Sequence, residues 1–321
     1  MTDHDERPVL LAVSNDRHFD SALRFAAREA TSRGSGLELM HAYHVTTTGP
    51  GAPLVSFATA ETVARETLRL AVEHASNILG GQVQLTSTLI RGPIVRSIVE
   101  ASAGCRLVVL QRRDLTRLSR VVARSTSTAV AAHAHTPVAV VPEGWESTRS
   151  EAVVSLGLDV PGRGAAILRQ ALLEARARRA SLRVLHTWWS PGYFDDVDMD
   201  RFGSSTWAVE VAEEIRAIVD ESRGGFEDVE VAIETHHGRP MDTLVAASRS
   251  SELLVVGRHD PLVPMGSHLG PVARAVLHSA ECPVLLVAPS VAHRGRQGRP
   301  RHTTASDAPP DARHPVGGGR P

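Results

Sequence analysis

The chain has 321 residues, 42% hydrophobic and 22% charged, a balance that suits a globular protein of two domains. A formal net charge of −1 removes any global electrostatic case for binding nucleic acid or a membrane surface. All 35 basic residues are arginine, so Schiff-base chemistry and a Walker-type phosphate lysine are excluded.

In chain order, "PVLLAVS" (residues 8–14) predicts a first strand, followed by a helix and a second apolar run that ends at His41. A long loop and another helix lead to "VQLTSTLI" (residues 83–90), which reaches Gly92. A helix, a fourth run at residues 107–110, a turn, a further helix and "TPVAVV" (residues 136–141) complete the pattern. The same series then recurs. "GPIVRSIVEAS" (from Gly92) falls on "GRPMDTLVAAS" (from Gly238), and "LVVLQRRD" (from Leu107) on "LLVVGRHD" (from Leu253), both at an offset of 146. "TPVAVV" falls on "CPVLLV" at the same offset, and "LELMHAYH" (from Leu37) on "LRVLHTWW" (from Leu182) at 145. In the second copy Leu168, Ala171, Leu172 and Ala175 keep helical spacing.

These repeats divide the chain into a first domain (1–142), a linker (143–151), a second domain (152–289) and a tail (290–321). The tail is rich in proline, glycine and arginine without periodicity and is expected to be disordered. Strands alternating with helices predict an α/β fold, a parallel sheet with helices on both faces. Ligands of such sheets bind beyond the carboxyl ends of the strands where strand order reverses, here the ends of strands one and four of each copy. Cys105 and Cys282 lie beside apolar runs and read as buried free thiols. The N-terminal "MTDHDERP" is polar, unlike a signal peptide, and no apolar run nears the ~18 residues of a membrane span. A cytoplasmic protein with no structural disulfide is expected.

Two stretches, "ALRFAAREATSRGSGLELMHAYHV" (from Ala22) and "LVVGRHDPLVPMGSHLGPVARAVLHSAECPVLLVAP" (from Leu254), resemble the universal stress protein family, and the resemblance runs from about Val9 to Pro289 as a tandem pair. It implies two Rossmann-like (adenine nucleotide alpha hydrolase-like) domains, each a five-stranded parallel sheet, paired through their last strands. Nucleotide-binding members carry Gly-x2-Gly-x9-Gly-Ser/Thr after the fourth strand and an aspartate after the first. Carried over, Asp159 matches the adenine aspartate, and Gly257 and Gly270 match the first and third glycines. Asp260 and Pro271 replace the second glycine and the closing Ser/Thr. The first copy has Ser14 or Asn15 near the aspartate position, and Gln111, Asp114 and Arg124 in place of the glycines, with Ser125 retained. The implied site is therefore confined to the second copy, with ATP as the cofactor, magnesium as its companion ion, and a second copy or another universal stress domain as partner.

In that site Val154, Leu156, Gly157 and Leu158 are expected beneath the base, Asp159 on the adenine, and Gly257 and Gly270 at the phosphates. Arg258 and His259 would offset charge, Gly266, Ser267 and His268 would supply further donors, and His186 and Gly238 stand at neighbouring strand ends. Two departures weigh against it. Pro271 suits the first turn of a helix but has no N–H, and losing one hydrogen bond to a charged partner costs roughly 1.5–3 kcal/mol. A carboxylate at Asp260, about 4 Å from a phosphate oxygen, repels it by roughly 4 kcal/mol at an effective dielectric near 20 unless a divalent ion bridges them. A nucleotide sensor and a nucleotide-free interaction module both fit this sequence.

Other features carry less chemistry. Arg112, Arg113, Arg117, Arg120 and Arg124 offer side-chain forks for an anion or a solvated basic face. The histidine pairs His133/His135 and His236/His237 are spaced so that each pair diverges, and neither zinc-finger spacing nor His-Glu-x-x-His occurs. Gly-x-Ser-x-Gly is absent, so a nucleophilic enzyme is not expected. His41 and His186 recur at matching strand ends, which suggests a shared structural or crevice-lining role, and Trp188, Trp189, Tyr193 and Phe194 suggest hydrophobic loop packing.

Overall fold

The computed structural model describes residues 7–14, 19–44, 57–112, 126–147, 152–159, 164–188, 204–258 and 269–288. In the first half these form β1 (Val9–Ala12), α1 (Asp20–Arg33), β2 (Leu37–Tyr43), α2 (Phe57–Leu79), β3 (Leu85–Arg91), α3 (Ile94–Ala101), β4 (Leu107–Arg112), α4 (Thr126–His133) and β5 (Val138–Pro142). The second half repeats the order as β6 (Val153–Gly157), α5 (Ala165–Arg178), β7 (Ser181–Trp188), α6 (Ser204–Ser222), β8 (Val231–His237), α7 (Pro240–Ser248), β9 (Leu253–Gly257), α8 (Pro271–Ser279) and β10 (Val284–Val287). The expected tail lies outside the described residues.

The ten strands make one sheet in the order β3-β2-β1-β4-β5-β10-β9-β6-β7-β8. Within each half every pairing is parallel. Central strands such as "VLLA" and "LLVV" are apolar throughout because helices cover both of their faces. The outermost strands β3 and β8 mix apolar with polar residues and are only half buried. One apolar cluster joins Phe25 of α1 to Leu168 of α5 on one side of the sheet, and another joins Val130 of α4 to Val276 of α8 on the other side. Both cores run across the boundary between the halves. Cys105 and Cys282 are buried thiols outside any disulfide, as read from the sequence, and burial pushes the Cys105 thiol up to about 11.

The halves meet through β5 and β10, which pair antiparallel with Leu285 opposite Ala139. These two positions are 146 apart, equivalent residues of the two copies, so a pseudo-twofold axis passes between them.

Two further contacts obey the same axis. On one face of the sheet Glu29 and Arg33 of α1 meet their equivalents Glu174 and Arg178 of α5. Arg33 donates to its own helix's Glu29 at 2.6 Å and across to Glu174 at 2.7 Å. Arg178 donates to its own Glu174 at 2.5 Å and across to Glu29. Burial alone raises the Glu174 carboxyl, but the guanidinium of Arg178, and then that of Arg33, outweighs it and holds the group below the ordinary carboxylate value. A closed ring of two carboxylates and two forked guanidinium groups satisfies the geometry that a buried ion pair requires.

On the opposite face two arginines reach across. Arg258, just after β9, donates Nη1 to the Ala134 carbonyl at 2.6 Å and Nη2 to the Thr136 carbonyl at 2.9 Å. Its equivalent Arg112, at the end of β4, donates Nη1 to the carbonyls of Ala280 at 2.6 Å and Leu277 at 3.3 Å. Each arginine thereby caps the carboxyl end of the other half's last helix, where unpaired carbonyls and the helix dipole favour a cation.

Candidate functional site

The strand order reverses between β1 and β4 in the first half and between β6 and β9 in the second, so each half has a crevice beyond those strand ends. In the second half the peptide after β6 is held on both sides. Leu158 N–H donates to the Leu185 carbonyl at 2.9 Å, and His186 Nδ1 lies 2.9 Å from the Leu158 carbonyl. The first half repeats this with Val13 N–H to the Met40 carbonyl at 2.8 Å and His41 Nδ1 to the Val13 carbonyl at 2.8 Å. Since a carbonyl only accepts, Nδ1 carries the proton in both rings. The recurrent histidines are thus fasteners of the crevice floor. Asp159 follows directly and is exposed at the crevice rim.

Three expected contacts with a base are corrected by burial. Val154 and Leu156 have no exposed surface and Leu158 is 4% exposed, all within the apolar core. Gly157 serves packing too: a Cβ there would lie 3.0 Å from both terminal methyls of Leu244 on α7. Gly238 has φ of +153°, a conformation that favours glycine, and its N–H returns to the Trp188 carbonyl at 3.0 Å, so its role is the exit from β8. Arg258 is also corrected. Its guanidinium is buried against the end of the first half's α4, on the carbonyls of Ala134 and Thr136. Arg112 likewise reaches across the interface, to the carbonyls of Ala280 and Leu277. His259, Asp260, Gly266, Ser267 and His268 lie outside the described residues, as do Arg113, Arg117, Arg120 and Arg124, and Trp189, Tyr193 and Phe194 of the aromatic loop.

The remaining pattern residues stand at the crevice. Gly270 is the N-cap of α8 in an extended conformation, and Pro271 occupies the first turn. The first-turn donors left for an anion are the N–H groups of Val272 and Ala273, because Pro271 has none and Arg274 N–H already reaches the Gly270 carbonyl at 3.1 Å. Gly257 at the end of β9 faces α5, where the terminal methyl of Ile167 fills the space that a Cβ would need. The space left by this glycine is taken by the far end of the Ile167 side chain, so packing of α5 on β9 uses it whatever else it does.

The equivalent place in the first half is solved the other way round. Gln111 stands at the position of Gly257, and Ala22 at the position of Ile167. Gln111 Oε1 accepts the Ala22 N–H at 3.0 Å, so a side chain of the chain itself occupies the amino end of α1. A large residue on the helix faces a glycine on the strand in one half, and a large residue on the strand faces an alanine on the helix in the other. Sequence reasoning missed this exchange, although comparing position 111 with 257 and 22 with 167 together contains its signal.

Elsewhere, a cavity of about 320 Å³ lies in the first half between the loop after β1 and α2, lined by Val13, Ser14, Phe19, Ala71 and His74 among others. His74 Nε2 lies 2.6 Å from Asp20 Oδ1 and its ring meets Phe19 edge-on at 5.6 Å. Trp188 stacks on His237 with centroids 4.2 Å apart, and His236 pairs with Glu234 at 3.2 Å. No group of three metal-ligating side chains occurs among the described residues.

A family model described as the universal stress protein family matches residues 6–142 and again residues 156–288. The chain is 31% identical over 296 residues to a universal stress protein of Mycolicibacterium smegmatis, covering 88% of this chain and 98% of that one. It is 26% identical over 305 residues to a universal stress protein of Mycobacterium tuberculosis, covering 87% of this chain and 94% of the relative. Among solved structures, a universal stress protein from Archaeoglobus fulgidus DSM 4304 superposes with a TM-score of 0.67 at 15% identity, over 89% of this chain and 97% of the other.

Proposed function

Because the chain belongs to the universal stress protein family, matched once in each half, we propose that it is a stress-response protein whose second half alone takes an adenine nucleotide such as ATP, as a sensed ligand and not as a substrate that is turned over. The observation that carries this reading is the contrast between the crevices. In the first half the Gln111 carboxamide occupies the amino end of α1. In the second half the matched position is Gly257, with Asp159 exposed on one side and the unpaired first-turn amides of α8 on the other. Asp159 would accept from the adenine amino group, and the Val272 and Ala273 amides would face phosphate oxygens. Binding then acts by shifting the protein between conformations, without turnover.

A second reading, a nucleotide-free interaction module, is favoured by Ile167 over Gly257 and by the missing N–H at Pro271. Isothermal titration of the full chain with ATP separates the two. Saturable binding that Asp159→Ala weakens at least about tenfold, the effect of roughly 1.4 kcal/mol, supports the nucleotide reading. The absence of saturation at millimolar ATP supports the second. Running the titration with and without magnesium tests whether a divalent ion bridges Asp260 to phosphate.

A further inference from the structure

The contacts across the pseudo-twofold axis fall into two kinds. The ring of Glu29, Arg33, Glu174 and Arg178 and the two arginine caps join equivalent residues reciprocally. Two first halves, or two second halves, would reproduce all of these contacts equally well, so they give strength without selectivity. Among the described residues one ion pair across the axis breaks the symmetry. Arg28 of α1 donates Nη2 to Glu252, which precedes β9 and is 3% exposed, and Ser147 Oγ donates to the same carboxylate at 2.7 Å. The Arg28 guanidinium also lies 5.7 Å from the ring centroid of Trp145.

The equivalents of these partners are different in kind. Leu173 stands at the position of Arg28, and Arg106 at the position of Glu252. The backbone confirms the second match: Glu252 N–H bonds to the Val153 carbonyl at 2.8 Å, and Arg106 N–H bonds to that of the equivalent Pro8 at 3.0 Å. We infer that the Arg28–Glu252 pair selects the partner of each half, allowing a first half to pair with a second half and rejecting like pairs. In a pair of first halves Arg28 would face Arg106 twice. In a pair of second halves Leu173 would face Glu252 twice, leaving two buried carboxylates without a cation. Like charges brought together and a buried charge left alone are the two ways a surface excludes wrong partners. The partner that this surface fits is therefore the unlike half.

The test uses the full chain with a protease site placed within residues 148–151 and cut only after folding. The nicked protein is diluted, reconcentrated and weighed by native mass spectrometry. The expected result is first–second pairs alone for the parent. For Arg28→Glu, which would find Arg106 attractive and Glu252 repulsive, pairs of first halves should rise at least about tenfold, the shift that roughly 1.4 kcal/mol produces. A statistical mixture of all pairs from the parent, or an unchanged partition in Arg28→Glu, overturns the inference. Should the pieces fail to re-pair, the intact chain decides. Arg28→Glu and Glu252→Arg should each lower the urea midpoint and their combination should restore it, whereas simple addition of the two losses overturns the inference.

Discussion

The guanidinium of Arg258 donates to the carbonyl of Ala134 at 2.6 Å, although 124 residues separate the two. The contact fastens the end of β9 in one half to the end of α4 in the other. Its arginine is buried, and burial lowers its pKa, yet the partners are carbonyls whose helix end supplies the negative potential. Arg258→Ala leaves those carbonyls without a donor and is expected to cost about 2 kcal/mol, the worth of a hydrogen bond to a charged group. Urea denaturation measures the loss. ATP affinity should stay within twofold or so of the parent, and a large drop would return Arg258 to the ligand site.

Gly257 and Ile167 form a matched pair of volumes. Gly257→Ala places a methyl where the Ile167 terminus lies, and overpacking of this kind costs about 1–3 kcal/mol. Adding Ile167→Val should recover most of that loss, a non-additive result expected only of residues in contact. Denaturant midpoints of the two single variants and the double variant check it, and strict additivity would separate the two residues. Loss of nucleotide binding in Gly257→Ala would need this control before it is read as a lost cradle.

The ring around Glu174 predicts a pH dependence with a definite sign. The folded carboxyl lies below its ordinary value. The stabilisation is therefore complete above the ordinary carboxylate range and is lost as pH falls through the lowered folded value. Glu174→Gln leaves the two guanidinium groups sharing the single carboxylate of Glu29, one buried positive charge in excess, and should cost roughly 3–5 kcal/mol at neutral pH, as breaking one side of a buried pair does. The difference between parent and variant should shrink as the pH falls below about 4, near where a free carboxyl protonates. Stability curves for both proteins from pH 7 to pH 3 read it directly, and a constant gap across that range would place the cost elsewhere.

Much of the fold was legible before any coordinates. The offset of 146 exposed the tandem repeat, the alternation of strands with helices predicted a covered parallel sheet, and the family resemblance implied pairing through β5 and β10. Chain order and the repeat place Asp159, Gly257 and Gly270 at or just beyond strand and helix ends. The detailed membership of the crevice was less legible. Val154 and Leu156 look like floor residues in sequence because they precede Asp159, and only the covering helices show that they belong to the core.

What the sequence by itself determined is what depends on local period: which segments are strands or helices, which of their faces are apolar, and that the whole unit occurs twice. What only the tertiary structure decided is which side chain meets which across separate elements. Arg258 reads as a phosphate ligand beside Gly257 and becomes a helix cap because the antiparallel pairing of β5 and β10 brings α4 to it. Ile167 lies 90 positions from Gly257, and the sheet order that sets β9 beside β6 makes them neighbours. Periodicity records whether a side chain faces the interior. Strand order and register choose its partner, and a partner is what turns an arginine into a cap or a glycine into the seat of another side chain.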